Sequence, residues 1–306
     1  MFLITSELEK LESYKTINTK GVVVGSFPRS VELKVNRAAE QAEILKDEID
    51  TWTRDNPVRY RTEMHGDGMG FRVLHEGFLS PPPTDRWSLI FGELIHNLRS
   101  ALDNLAWGFA CAKANPPSKP VIIKFPIYEE EAKFDKKTKD ITDQMTSDIA
   151  ECIKAMQPFE QSDPDKIDRN FLVLLQNFNN DDKHTVPYIS FTSFKTFQGF
   201  VEIEQISDGR KFKLMLGGIP EWDGTEPLQA GTVLVDQPFS EPIKPCEVKV
   251  NFELCFSLNR KGKLTPVGWM ADFLVKQIDP LVKTFIPYFK VIDAGRHPEL
   301  QTPAAI

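Results

Sequence analysis

The chain is expected to be an α+β protein, an antiparallel helical bundle carrying an inserted antiparallel β-sheet. Three observations predict this class. Several long stretches repeat apolar residues every three or four positions. The stretch from Ile189 to Ser257 changes to apolar–polar alternation. A last helical pattern, from about Val267 to Phe285, follows that stretch, so the sheet interrupts the helices.

The elements follow in order. Ala38, Ala42, Leu45, Ile49 and Trp52 mark a helix over Val31–Trp52, stopped by Asp55-Asn56-Pro57. Alternation at 58–64, a Gly-rich turn at 65–70 and a return strand at 71–75 predict a hairpin, with His65 and His75 as exposed strand residues. Thr84 or Asp85 caps a long helix over Trp87–Ala112, closed by Asn115-Pro116-Pro117. Val121–Ile127 reads as a short strand, and Glu129–Met156 as two helices, the second near 144–157. Asp163-Pro164-Asp165 resembles a cap for a helix over Lys166–Phe178, which runs out into Asn179–His184.

Strands are expected at 189–196, 199–206, 211–216, 232–235 and 247–257, with Trp222 at the tip of a loop between the third and fourth. Phe191, Phe194 and Phe197 are spaced by three, which conflicts with strand alternation. In the last helix, Pro280 is placed to produce a kink. The expected division is 1–186 as helices with the hairpin, 187–260 as the β insertion and 261–306 as the returning helix and tail.

Composition narrows the function classes. With 306 residues and 41% hydrophobic content, the chain has enough apolar side chains for a substantial core. A net charge of −7 excludes a uniformly basic nucleic-acid surface. Cys111, Cys152, Cys246 and Cys255 contain no Cys-x-x-Cys pair, so zinc-finger spacing is absent and most are expected to be buried thiols. No apolar run approaches the ~20 residues that span a bilayer, and acidic residues arrive too early for a signal peptide. The expectation is a cytoplasmic protein without membrane contact. No nucleotide-binding glycine loop, nucleophile elbow or His-Glu-x-x-His helix occurs, and no cofactor is expected.

Residues 93–104 are the most informative stretch. On a helix, Ile90, Leu94, Leu98, Ala101, Leu102 and Leu105 share one side. Glu93, His96, Asn97, Ser100, Asp103, Asn104 and Trp107 share the other, with Arg99 at the flank. A solvated face normally fills with Lys and Glu. This face has no Lys and carries groups that make directed hydrogen bonds, bind metals or move protons.

The run Gly92–Asn104 resembles the signature of an uncharacterised family of bacterial and phage proteins. There a similar His-Asn-Leu-Arg-Ser-Ala-Leu-Asp helix is followed by a Phe-Pro-Ile segment and an Asp-Lys-His segment. Here these look like Phe125-Pro126-Ile127 and Asp182-Lys183-His184. More distantly, Arg99 and Asn104 fall at the positions of the Arg-x-x-x-x-His signature of HEPN helical-bundle ribonucleases. That resemblance implies Arg99 as a phosphate clamp, RNA as partner and a homodimeric cleft without metal. The chain departs where the base is expected: Asn104 cannot act as a general base near neutral pH.

Three readings of the face follow. In a ribonuclease, Arg99 binds phosphate and His96 or His184 supplies the proton transfer that Asn104 cannot. This requires Arg99 and a His in one solvent-open cleft. In a metal protein, Glu93 and His96 have the Glu-x-x-His spacing of di-iron bundles, although no second such pair occurs. In an organising network, Asn97, Ser100, Asp103 and Asn104 satisfy neighbouring backbone groups, while Arg99 pairs with Asp181 or Asp182 beside Lys183. The functional expectation is a HEPN-like RNA-binding or RNA-cleaving component of a defence or stress system. The alternative is a non-enzymatic binding or scaffold protein that uses the β region for a protein partner.

Overall fold

The two strongest helical patterns form the two longest helices among the described residues, α1 (Arg29–Asp55) and α2 (Thr84–Lys113). Between them lie β1 (Tyr60–Met64) and β2 (Gly70–His75), the expected hairpin. This computed structural model describes residues 27–184, 189–218, 229–260 and 263–289. The chain continues through α3 (Glu131–Thr142), α4 (Ser147–Ala155), α5 (Pro158–Gln161) and α6 (Phe171–His184). Strands β3 (Ile189–Glu204), β4 (Lys211–Gly218), β5 (Val233–Pro238), β6 (Val248–Arg260) and β7 (Lys263–Pro266) precede α7 (Val267–Thr284). The fold is α+β, and all its strand pairs are antiparallel.

The chain divides into two compact units, one of residues 1–39, 94–180 and 273–306, the other of 40–93 and 181–272. Each unit is assembled from distant stretches, and α1, α2, α6 and α7 each contribute residues to both.

The described part of the first unit is helical. The apolar side of α2 from Leu94 to Ala110 is fully buried, and Ile149, Leu172, Leu274 and Ile278 are buried in the same unit. Phe109 meets Phe285 edge-on at 5.2 Å and stacks on Phe289 at 4.9 Å.

The second unit holds both sheets. One has the order β1-β2-β5 and the other β4-β3-β6-β7. The hairpin therefore shares a sheet with a strand some 160 residues later, in register Val73↔Val235. Tyr60 ties the sheets together: its hydroxyl accepts from Val250 N at 2.9 Å and donates to Val248 O at 3.3 Å. Trp52, Trp87 and Phe256 pack edge-on beneath, with centroids 4.7–6.1 Å apart. Gly199 on β3 has no side chain because a Cβ there would collide with the Lys249 carbonyl.

Several local expectations change. The two strands expected at 189–196 and 199–206 are one strand, Ile189–Glu204, and its register against β6 shifts at Phe191/Ser193 and again at Phe194/Thr196. Each shift inserts one residue. Phe191, Phe194 and Phe197 thus stand opposite Phe256, Leu254 and Phe252, which alternate by two. Two bulges resolve the period-three spacing; these phenylalanine side chains lie outside the described residues. Residues 121–127 form no strand. A 3₁₀ turn at Pro120–Ile122 leads into extended backbone held by side chains of other elements. The helix expected at 166–178 starts later, because Asn170 caps Leu172 N at 2.9 Å after a 3₁₀ turn at Pro164–Arg169, and it continues to His184.

Neither hairpin histidine is an exposed strand residue. His75 is fully buried and His65 is half-buried against Asp236, Nε2 to Oδ1 at 2.8 Å. Of the four free thiols, only Cys152 is buried. Trp222 lies outside the described residues.

Candidate functional site

Arg99 sits where the polar and apolar sides of α2 meet, and the structure places it inside. It is 7% exposed. Its Nη2 donates to Asp103 Oδ1 at 2.9 Å, one turn along the helix, and to the Phe125 carbonyl at 2.6 Å. Asp103 Oδ1 in turn accepts from Phe125 N at 2.9 Å. Both main-chain groups of Phe125 are thus held by one ion pair. Nη1 is buried and has no hydrogen-bond partner among the described residues. Burial pushes the guanidinium below the usual arginine range, opposed by the Asp103 charge and hydrogen bond.

The rest of the segment after Phe125 is held the same way. Gln157, fully buried, donates through Nε2 to Pro126 O and Ile153 O and accepts from Tyr128 N, each at 3.0 Å. Upstream, the Gln144 carbonyl oxygen accepts from Lys119 N at 2.7 Å. Sequence reasoning missed both glutamines. The available signal was the connection itself: residues 114–128 contain Pro116, Pro117, Pro120 and Pro126 and lack a strand partner, so other groups must satisfy their backbone.

The remaining residues of the face are dispersed. His96 is exposed, with Nε2 3.4 Å from the Ser100 hydroxyl. Glu93 is exposed and accepts from Gln41 Nε2 at 2.6 Å. Asn97 is half-buried and engaged. Asn104 is half-buried and its side chain makes no hydrogen bond among the described residues, while Trp107 is 41% exposed. Asp181 and Asp182 occupy the last turn of α6, both half-buried. The Asp182 carboxylate packs against the bare Cα of Gly92, where a Cβ would strike its Oδ1. Arg99 pairs with neither aspartate but with Asp103. The side chains of Lys183 and His184 lie outside the described residues. Among the described residues no three His, Cys, Asp or Glu side chains gather as a metal shell requires, and no helix is long and apolar enough to cross a membrane.

Within the second unit, α1 and the start of α2 border a shallow, open hollow of about 480 Å³. Trp52 and Trp87 form its apolar wall. Asp47, Glu48, Asp55 and Arg86 form its charged rim. Arg86 forks onto Glu48, with Nη2–Oε1 at 2.5 Å and Nε–Oε2 at 2.8 Å. The Arg86 hydrogen bond holds the Glu48 carboxyl below its usual range. Glu48 is paired with Arg86 and Asp55 with Arg54 at 3.2 Å, so the rim carries one net negative charge, at Asp47.

No family model matches the chain, and neither a curated protein nor a solved structure matches it.

Proposed function

We propose that this chain is a non-enzymatic binding protein in which the helix Gly92–Asn104 organises the fold. One observation carries the reading: Arg99 Nη2 and Asp103 Oδ1 together hold the carbonyl and the N–H of Phe125. A phosphate clamp must meet its ligand with open N–H groups, and Arg99 is 7% exposed. The two segments that accompany the helix in the family resemblance fit the same role. Phe125 is gripped by the helix, and Asp182 fills the space left by Gly92. Packing partners occur together for packing reasons.

A concave surface for binding among the described residues is the hollow at Trp52 and Trp87. Its rim favours a neutral or cationic ligand and repels a polyanion such as RNA.

The test is incubation of the purified chain with total RNA, beside Arg99→Lys and His96→Ala variants, with thermal unfolding and metal content measured on the same samples. The expected result is no cleavage, no stoichiometric metal and a lowered unfolding temperature for Arg99→Lys alone. Cleavage that disappears in His96→Ala at unchanged stability would reinstate the ribonuclease reading, with Arg99, His96, His184 and Asn104 as its site. Stoichiometric metal lost with Glu93→Gln would favour the metal reading.

A further inference from the structure

His75 ends β2 at a position that is 0% exposed. Its ring lies edge-on to Phe78 at 4.8 Å. Nδ1 is 3.2 Å from the Gln229 carbonyl. A carbonyl only accepts, so Nδ1 carries the proton and Nε2 presents a lone pair. Nε2 is buried and has no partner among the described residues.

The backbone makes the same connection. His75 N donates to Thr232 O at 2.9 Å, and Gly231 N donates to His75 O at 2.7 Å. Thr232 N also donates to the Gln229 carbonyl, at 3.1 Å. Residues 229–232 are thus pinned to the end of β2, directly ahead of β5, which among the described residues is an edge strand paired only with β2.

We infer that His75 is a pH-sensitive brace: protonation of its buried Nε2 releases the 229–232 turn and loosens β5 from its sheet. A proton added at Nε2 finds no acceptor and places a full charge in an apolar setting. The ionisable groups around it do little to compensate. Glu76, the next residue, is paired with Arg59 at 3.7 Å. Tyr60, opposite on β1, has its hydroxyl engaged by Val248 and Val250.

Burial therefore holds the imidazole below the ordinary histidine range, against the opposing effects of the Gln229 carbonyl and the Glu76 charge. The sign is fixed by linkage. The braced state binds the neutral ring and the released state binds the proton. The brace is complete above the ordinary histidine value of about 6.5 and weakens as pH falls below it.

Hydrogen exchange on the full chain at pH 7.5 and pH 5.0, corrected for intrinsic rates, tests the inference. Amides of residues 231–237 should lose several-fold more protection at pH 5.0 than those of β6, the direction that linkage requires. The local difference should vanish in His75→Asn, which keeps a donor for the Gln229 carbonyl but does not titrate. It should also vanish in His75→Phe. An unchanged pH response in either variant, or a loss spread evenly over both sheets, would overturn the inference. If neither variant folds, an imidazole titration followed by NMR decides: a His75 value at or above the ordinary histidine value of about 6.5 overturns the brace, and one clearly below it supports it.

Discussion

Arg99 and His75 do the same mechanical work in different units. Each is buried, and each holds the carbonyl of a residue outside regular structure, Phe125 for one and Gln229 for the other. Arg99 does so with a permanent charge and a carboxylate that takes the neighbouring N–H as well. His75 does so with a neutral ring and no counter-charge. A charged clamp gives the tighter hold and ignores pH near neutrality, but losing Asp103 leaves the Arg99 charge buried alone. A neutral clamp costs less to lose and responds to protons.

The largest effect that would break this comparison lies at Arg99. Arg99→Ala leaves the Phe125 carbonyl unpaired and removes the partner of Asp103, whose side chain stays 36% exposed, and should lower stability by about 2–4 kcal/mol, measured by denaturant unfolding. A loss below 1 kcal/mol would mean that the clamp holds little. Gln157→Leu removes three hydrogen bonds around Pro126 and Tyr128 and should cost about 2–3 kcal/mol, with faster hydrogen exchange at Tyr128. Asp103→Asn keeps an acceptor for Phe125 N but removes the charge opposite Arg99, so about 1–3 kcal/mol is expected. The smallest effect belongs to His75. Between pH 6.5 and 5 the wild type should lose more stability than His75→Asn, by at most about 1.4 kcal/mol per pH unit. Equal slopes would make the two clamps alike.

How far the sequence revealed these arrangements depends on the range of the interaction. The α+β class and the long helix over 84–113 follow from local periodicity, and so does the boundary position of Arg99 on it. The pairing of Arg99 with Asp103 is a one-turn relation and is available from spacing alone. Its second partner is the main chain of a residue 26 positions on, and no pattern of side chains encodes that. The pairing of β2 with β5 is equally remote.

His75 was hidden for a different reason. Phe71, Val73 and His75 share one face of β2 by strict alternation, and all three are fully buried. The periodicity pointed inward, and the polar identity of histidine argued outward. Periodicity prevailed because β2 is the central strand of its sheet, with five of its six residues buried.

The grip of α2 on Phe125 has an evolutionary consequence. Arg99, Asp103 and the backbone course at Phe125 form a closed set of mutual requirements, so drift at one position is tolerated only with matching change at the others. In any lineage that keeps this fold, Arg99 and Asp103 should be inherited or lost as a pair, since the groups they hold at Phe125 are main-chain. Their joint appearance in another sequence would then be a marker of shared architecture, even where the biological task has diverged.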